Sequence, residues 1–140
     1  MTMTGKMSSV MTSLQGLFNA QKHTQQILLA AGKYEDYCKG STDMTLPDDS
    51  VSLSSYHIQQ LVSEIGEILD ADKRWKNFRN EKYDKEAKAE EIADCFIVLM
   101  NVAMFSGIDC DELADTISMK LYTVRNRVEE ACKDADNSDS

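Results

Sequence analysis

The chain has a single proline and six glycines in 140 residues. That is too few breakers for a turn-rich β fold and favours long helices. Histidine is equally scarce, with only His23 and His57. Neither follows a glutamate by three residues, which removes the Glu-x-x-His pairs of a di-iron bundle. The four cysteines are Cys38, Cys95, Cys110 and Cys132. No two stand at C-x-x-C spacing, so neither a zinc knuckle nor a thioredoxin-type motif is written here. Cys95 falls within an apolar run and reads as a small hydrophobe. No apolar stretch approaches the ~20 residues of a membrane span, and Met1 to Leu14 holds no signal-peptide core. A reduced cytoplasmic protein is the expectation. Cations are short as well: 15 Lys+Arg stand against 24 Asp+Glu, a net charge of −9. Such a field argues against general DNA or RNA binding. It does not exclude a single nucleotide, because clustered carboxylates recruit divalent ions that invert the local field.

What remains is apolar and helical. An apolar fraction of 42% suffices for a core, and the length fits one domain, expected over residues 1–132, with 133–140 as a disordered acidic tail. Val10 to Ala31 carries helical spacing in Leu14, Leu17, Phe18, Ile27, Leu28 and Leu29, with Gly32 as its stop. Lys33 to Ser50, holding Gly40 and Pro47, reads as a connector with a short helical turn around Tyr34 to Cys38. A second helix begins at Ser54 or Ser55 and runs to about Trp75 or Phe78. Its stripe is Ile58, Leu61, Ile65, Ile68 and Leu69. Asn77 to Asn80 reads as a break. A third helix spans Asp84 to Ser106, and its middle, Cys95 to Met100, is apolar on every side. A helix with no polar face must be covered on more than one side, and in so short a chain a second copy is the economical cover. A fourth helix starts after Asp109, with Asp111 and Glu112 suited to its N-terminal dipole. The fold class expected is an all-α bundle of four to five helices, completed by self-association.

Two acidic motifs stand inside these helices, Glu64-Ile65-Gly66-Glu67 and Glu91-Ile92-Ala93-Asp94. Residues three apart share a helix face. Glu64 borders the apolar stripe, with Glu67 roughly 60° further out, and Asp94 directly precedes six apolar residues. At the margin of a core an unpaired charge is costly, so a compensating cation is expected. Antiparallel packing would bring the four carboxylates together. An all-oxygen set suits Mg²⁺ or Mn²⁺, and Mg²⁺ commonly completes its shell with substrate phosphate. Pairs of this kind are also common on solvated faces, so the bland alternative is a helical module whose acids merely solvate it. Between the motifs, Lys73-Arg74-Trp75-Lys76-Asn77-Phe78-Arg79 concentrates four cations. It reads either as a phosphate grip or as a basic helix C-terminus favoured by the dipole. Asn101, two turns beyond Asp94, is a candidate sugar or base contact and equally a polar residue of a helix interface. Gly66 interrupts a helix at a cost of about 1 kcal/mol relative to alanine, which close approach of a helix or ligand would explain.

Taken together, Glu64-x-x-Glu67, Arg74-Trp75-Lys76, Glu91-x-x-Asp94 and the later Lys120 and Arg127 resemble the MazG-like and dimeric dUTPase superfamily of all-α nucleoside triphosphate pyrophosphohydrolases. The similarity runs over roughly Tyr56 to Val128. It implies a helical bundle, a homodimer or homotetramer, that binds Mg²⁺ through the four acids. It also implies cleavage of a nucleoside triphosphate to the monophosphate and pyrophosphate. Glu64 and Glu67 would carry the catalysis, while Arg74, Trp75, Lys76, Lys120, Arg127 and Asn101 would meet substrate. Where the family's late helix has asparagine this chain has Val124, with Asn126 nearby. Phe18-Asn19-Ala20-Gln21 echoes only loosely the early motif of the dimeric dUTPases. No base or sugar preference follows. The alternatives from another class are a non-catalytic helical dimerisation module and a nucleotide-binding regulator.

Overall fold

The computed structural model describes residues 13–34, 50–76 and 82–138. Four α-helices are found among them: α1 (Leu14–Ala30), α2 (Val51–Ala71), α3 (Lys85–Phe105) and α4 (Cys110–Ser138), with a 3-10 turn at Lys73–Trp75. The chain divides after Ile108 into two units.

In the first unit each boundary has a local cause. Ser13 caps α1 by accepting from the Gly16 amide at 3.0 Å. Residues 10–12 of the expected helix lie outside the described residues. Ser50, and not Ser54 or Ser55, caps α2, accepting from the Leu53 amide at 3.2 Å. The Ser54 hydroxyl is spent elsewhere, 3.0 Å from that of Ser106. Asp84 caps α3 in the same manner, with the Ala87 amide at 3.0 Å. Helices α1 and α3 both close on a glycine at positive φ, Gly32 at 73° and Gly107 at 74°. After each glycine the next amide returns to the carbonyl five residues back, Lys33 to Leu28 and Ile108 to Ala103, both at 3.0 Å. The second helix stops at Ala71, four residues short of Trp75. Asp72 turns extended there and its carboxylate accepts from the Arg74 amide, starting the 3-10 turn. The Trp75 indole then donates to the Leu69 carbonyl at 3.1 Å, satisfying one of the orphan acceptors at the helix end. The expected break at Asn77 to Asn80 and the connector from 35 to 49 fall outside the described residues.

Helices α2 and α3 form the main packed pair, and α1 lies against α3. The pair is antiparallel. Ser54 meets Ser106, and Asp72 meets Lys88 at the other end. Leu53 and Phe105 are fully buried where the start of α2 meets the end of α3, joined by Val98, Met104 and, from α1, Phe18. A polar row threads this core. The His57 ring stacks on Phe105, centroids 5.1 Å apart, and Tyr34 meets both rings edge-on. The Tyr34 hydroxyl donates to buried Gln25 and lies 3.5 Å from the second imidazole nitrogen. Buried polar groups of this kind need such partners.

The apolar middle of α3 is only half covered. Cys95 and Val98 are buried, whereas Phe96 is 64% exposed, and Ile92, Ile97 and Leu99 are exposed with it. On α2, Ile58, Val62, Ile65 and Leu69 form an exposed row at helical spacing.

The second unit is one helix. Asp109 caps it, accepting from the Glu112 amide at 2.8 Å. Ile117, Leu121, Val124 and Val128 form an exposed stripe along it. It continues to Ser138, through the segment expected as a disordered tail from residue 133. No proline or glycine follows Gly107 to stop it. No helix of the described residues is long and apolar enough to cross a membrane.

Candidate functional site

The two acidic motifs sit opposite each other on the α2–α3 pair. One carboxylate oxygen from each of Glu64, Glu67 and Glu91 lies within 4.8 Å of the others. Asp94 stands outside that set with an exposed side chain, though its charge reaches both Glu64 and Glu91. One oxygen of Glu64 and one of Glu91 are buried without any hydrogen-bond partner. Leaving a buried acceptor unmet costs its full desolvation, more still when it is charged. Among the described residues no lysine or arginine forms an ion pair with these acids.

The electrostatics follow. Desolvation first, then the negative charges of Glu67 and Asp94, push the Glu64 carboxyl above its ordinary pKa. Glu91 is pushed up chiefly by hydrogen bonding with Glu67, then by desolvation and its acidic neighbours. The buried thiol of Cys95 is raised by its own desolvation and by the same four acids. It stays a protonated small hydrophobe and is not one of the converging groups. The donors that converge are all hard oxygens, and Glu64 and Glu91 each hold one buried, unpartnered oxygen. A divalent cation that prefers carboxylate and water fits this set; zinc, which favours nitrogen and sulfur, fits poorly. Gly66, between the two glutamates of α2, faces open space. A Cβ there would meet nothing within 4 Å.

The basic segment behaves differently from a free phosphate grip. Arg74 donates from Nε and Nη2 to the two oxygens of Asp72, both at 2.7 Å, and its guanidinium lies 3.7 Å over the Tyr83 ring. Lys88 of α3 donates to the same Asp72 at 2.7 Å. These bonds hold the Asp72 carboxyl far below its ordinary pKa. Trp75 caps the end of α2 and is mostly exposed, with the Lys76 ammonium 5.2 Å from its ring centroid. Phe78 and Arg79 lie outside the described residues.

Asn101 is buried and accepts from the Gln21 side chain at 2.8 Å. This polar pair links α1 to α3 and sets Gln21, from the Phe18–Gln21 segment, against α3. Lys120 and Arg127 belong to α4, two turns apart on one exposed face of the second unit. Sequence reasoning missed Asp72 and Lys88. Asp72 falls inside the expected second helix, which runs to about Trp75 or Phe78, whereas α2 ends at Ala71. Lys88 carried a usable signal, since it stands three residues before Glu91 and so on its face.

Comparison with known protein families, with curated proteins and with solved structures finds no match to this chain.

Proposed function

We propose that the protein is a metal-dependent hydrolase that cleaves nucleoside triphosphates to the monophosphate and pyrophosphate, with Mg²⁺ or Mn²⁺ held at Glu64, Glu67 and Glu91 and supported by Asp94. The observation that carries this reading is the convergence of three carboxylates from two helices with two buried oxygens left unpartnered. The resemblance of the acidic motifs and their basic interval supplies the substrate class. A bound divalent ion would offset the triphosphate charge and polarise the α-phosphoryl group. Glu64 or Glu67 accepts the proton of the attacking water as its oxygen bonds to the α-phosphorus. The bridge to the β-phosphate breaks and pyrophosphate leaves. Lys76 offsets the charge that gathers on the leaving group.

The apolar rows on α2 and α3 favour a second copy as their cover, since a monomer seldom exposes so continuous an apolar face. The proposed state is a homodimer or homotetramer, read by sedimentation. A cytoplasmic role in cleaning the nucleotide pool fits such an activity. The same exposed rows also favour the second reading, a dimerisation module without catalysis. One experiment separates the two: release of monophosphate and pyrophosphate from a panel of deoxynucleoside triphosphates with Mg²⁺, on wild type and Glu67→Ala. Metal-dependent turnover by wild type, lost in the variant, supports the hydrolase. No turnover on any nucleotide counts for the module, or for a nucleotide-binding regulator where metal and triphosphate still bind.

A further inference from the structure

We propose that Lys88 and Arg74, held together by Asp72, form a subsite for the phosphate chain of a metal-bound polyphosphate. Lys88 would be a substrate-contacting residue and Asp72 the residue that positions both cations. This rests on the triphosphate reading above.

The argument begins with charge. One carboxylate, its side chain only 7% exposed, binds two cations whose side chains remain 51% and 30% exposed. The group therefore carries a net positive charge in a chain of net charge −9. The donors are not exhausted. Asp72 takes Nε and one hydrogen of Nη2 from Arg74, so the outer edge of the guanidinium keeps donors to spend. Lys88 gives one of its three ammonium hydrogens to Asp72. The location is also specific. Lys88 precedes Glu91 by one helical turn on the same face, and Asp72 follows Glu67 at the end of α2, so the cations continue the seam along which the acids converge.

A surface lysine loses much side-chain freedom when it binds an anion. These two heads are already fixed, Arg74 from below by Tyr83 and both from the side by Asp72, which lowers that loss. A purely structural tie between the end of α2 and the start of α3 would explain the distances as well. It would not make anion affinity depend on Lys88 while metal affinity does not.

That difference is the test. Full-length wild type, Lys88→Gln, Lys88→Arg and Asp72→Asn are titrated calorimetrically with Mn²⁺ alone, then with inorganic tripolyphosphate in saturating Mn²⁺. A third titration uses a nucleoside triphosphate analogue with a non-hydrolysable α–β link. For Lys88→Gln the expected result is unchanged Mn²⁺ affinity and a loss of about tenfold for both phosphate ligands, the scale of one charge-assisted hydrogen bond. Lys88→Arg should recover most of it, and Asp72→Asn should lose a smaller factor in the same two titrations. Unchanged tripolyphosphate affinity in a folded Lys88→Gln overturns the subsite, as does an equal loss in Mn²⁺ alone. Wild type that binds Mn²⁺ but neither phosphate ligand overturns the triphosphate reading itself.

Discussion

Two carboxylate clusters share the α2–α3 pair and are built on opposite terms. At Asp72 one acid meets two cations, and its carboxyl is held far below the ordinary range by hydrogen bonds from Arg74 and Lys88. About a turn away three acids meet one another, no cation joins them among the described residues, and Glu64 and Glu91 are pushed up. Both stand where the α2 side of the pair meets α3, one just past the end of α2 and one within it. In the first cluster the acid is fully countered as folded. The second is short of positive charge among the described residues. Neighbouring acids on a helix are therefore not evidence of a site in themselves; what singles out this one is that the fold compensates one group and leaves the next uncompensated.

The largest effect should come from breaking the uncompensated cluster. Glu67→Ala removes the acid that touches both partners and should lower Mg²⁺-dependent pyrophosphate release by roughly 10²–10⁴-fold, the scale of lost general-base chemistry. Steady-state turnover at saturating Mg²⁺ is the measurement. Turnover within a few-fold of wild type would remove Glu67 from the chemistry.

A second effect concerns stability with metal. A ligand that binds only the folded chain at a hundred times its Kd adds about 2.7 kcal/mol. Mg²⁺ should accordingly raise the melting temperature of wild type by several degrees and leave Glu91→Gln nearly unmoved. In metal-free buffer the order reverses. Glu91→Gln removes a carboxylate that repels its neighbours, so at pH 8 it should melt above wild type.

The pH dependence sharpens the contrast because the two clusters carry opposite slopes. Folded Glu64 and Glu91 bind protons more tightly than in the unfolded chain. Their contribution is fully present below the unfolded value, near ~4, and is lost as pH rises through their raised folded values. Folded Asp72 binds its proton more weakly. Its contribution is present above that same unfolded value and is lost as pH falls through the depressed folded one. Metal-free denaturant titrations should show Glu64→Gln flattening the decline on the alkaline side. Asp72→Asn should flatten the decline on the acid side and nowhere else. Parallel curves for the two variants would mean that the clusters are not electrostatically distinct.

How much of this was legible beforehand depends on the residue. The helices of the described residues and two of their stops, those of α1 and α3, followed from glycine positions, capping residues and apolar spacing, because those signals are local. The convergence of Glu64, Glu67 and Glu91 was legible as a pattern, since spacing of three fixes a shared face and each motif sits at the margin of an apolar stripe. Asp94 marks the limit of that inference. Its spacing from Glu91 is the same, yet it stands outside the converging set, because spacing fixes a shared face and not where the end of each side chain comes to rest. The Asp72 clasp was not legible. A pairing sixteen residues apart depends on where α2 ends, and helix ends are the least specified feature of a periodic pattern.

The smallest effect is also the most discriminating. Gly66 stands between Glu64 and Glu67 and pays about 1 kcal/mol of helix propensity relative to alanine. In the folded chain a Cβ at this position meets nothing within 4 Å, and the residue lies in a regular helix. Packing among the described residues therefore gives no reason for glycine. Gly66→Ala should stabilise the metal-free protein by up to that ~1 kcal/mol, measured by urea denaturation. If stability rises while turnover and sedimentation stay as in wild type, the space beside the glutamates of α2 is simply solvent. If stability rises but turnover falls, the added methyl occupies room that substrate needs, and the glycine belongs to the acid cluster. If sedimentation slows instead, the room belongs to a second copy. Replacing one hydrogen by a methyl thus reports on what comes to the acid cluster, without touching any of its charges.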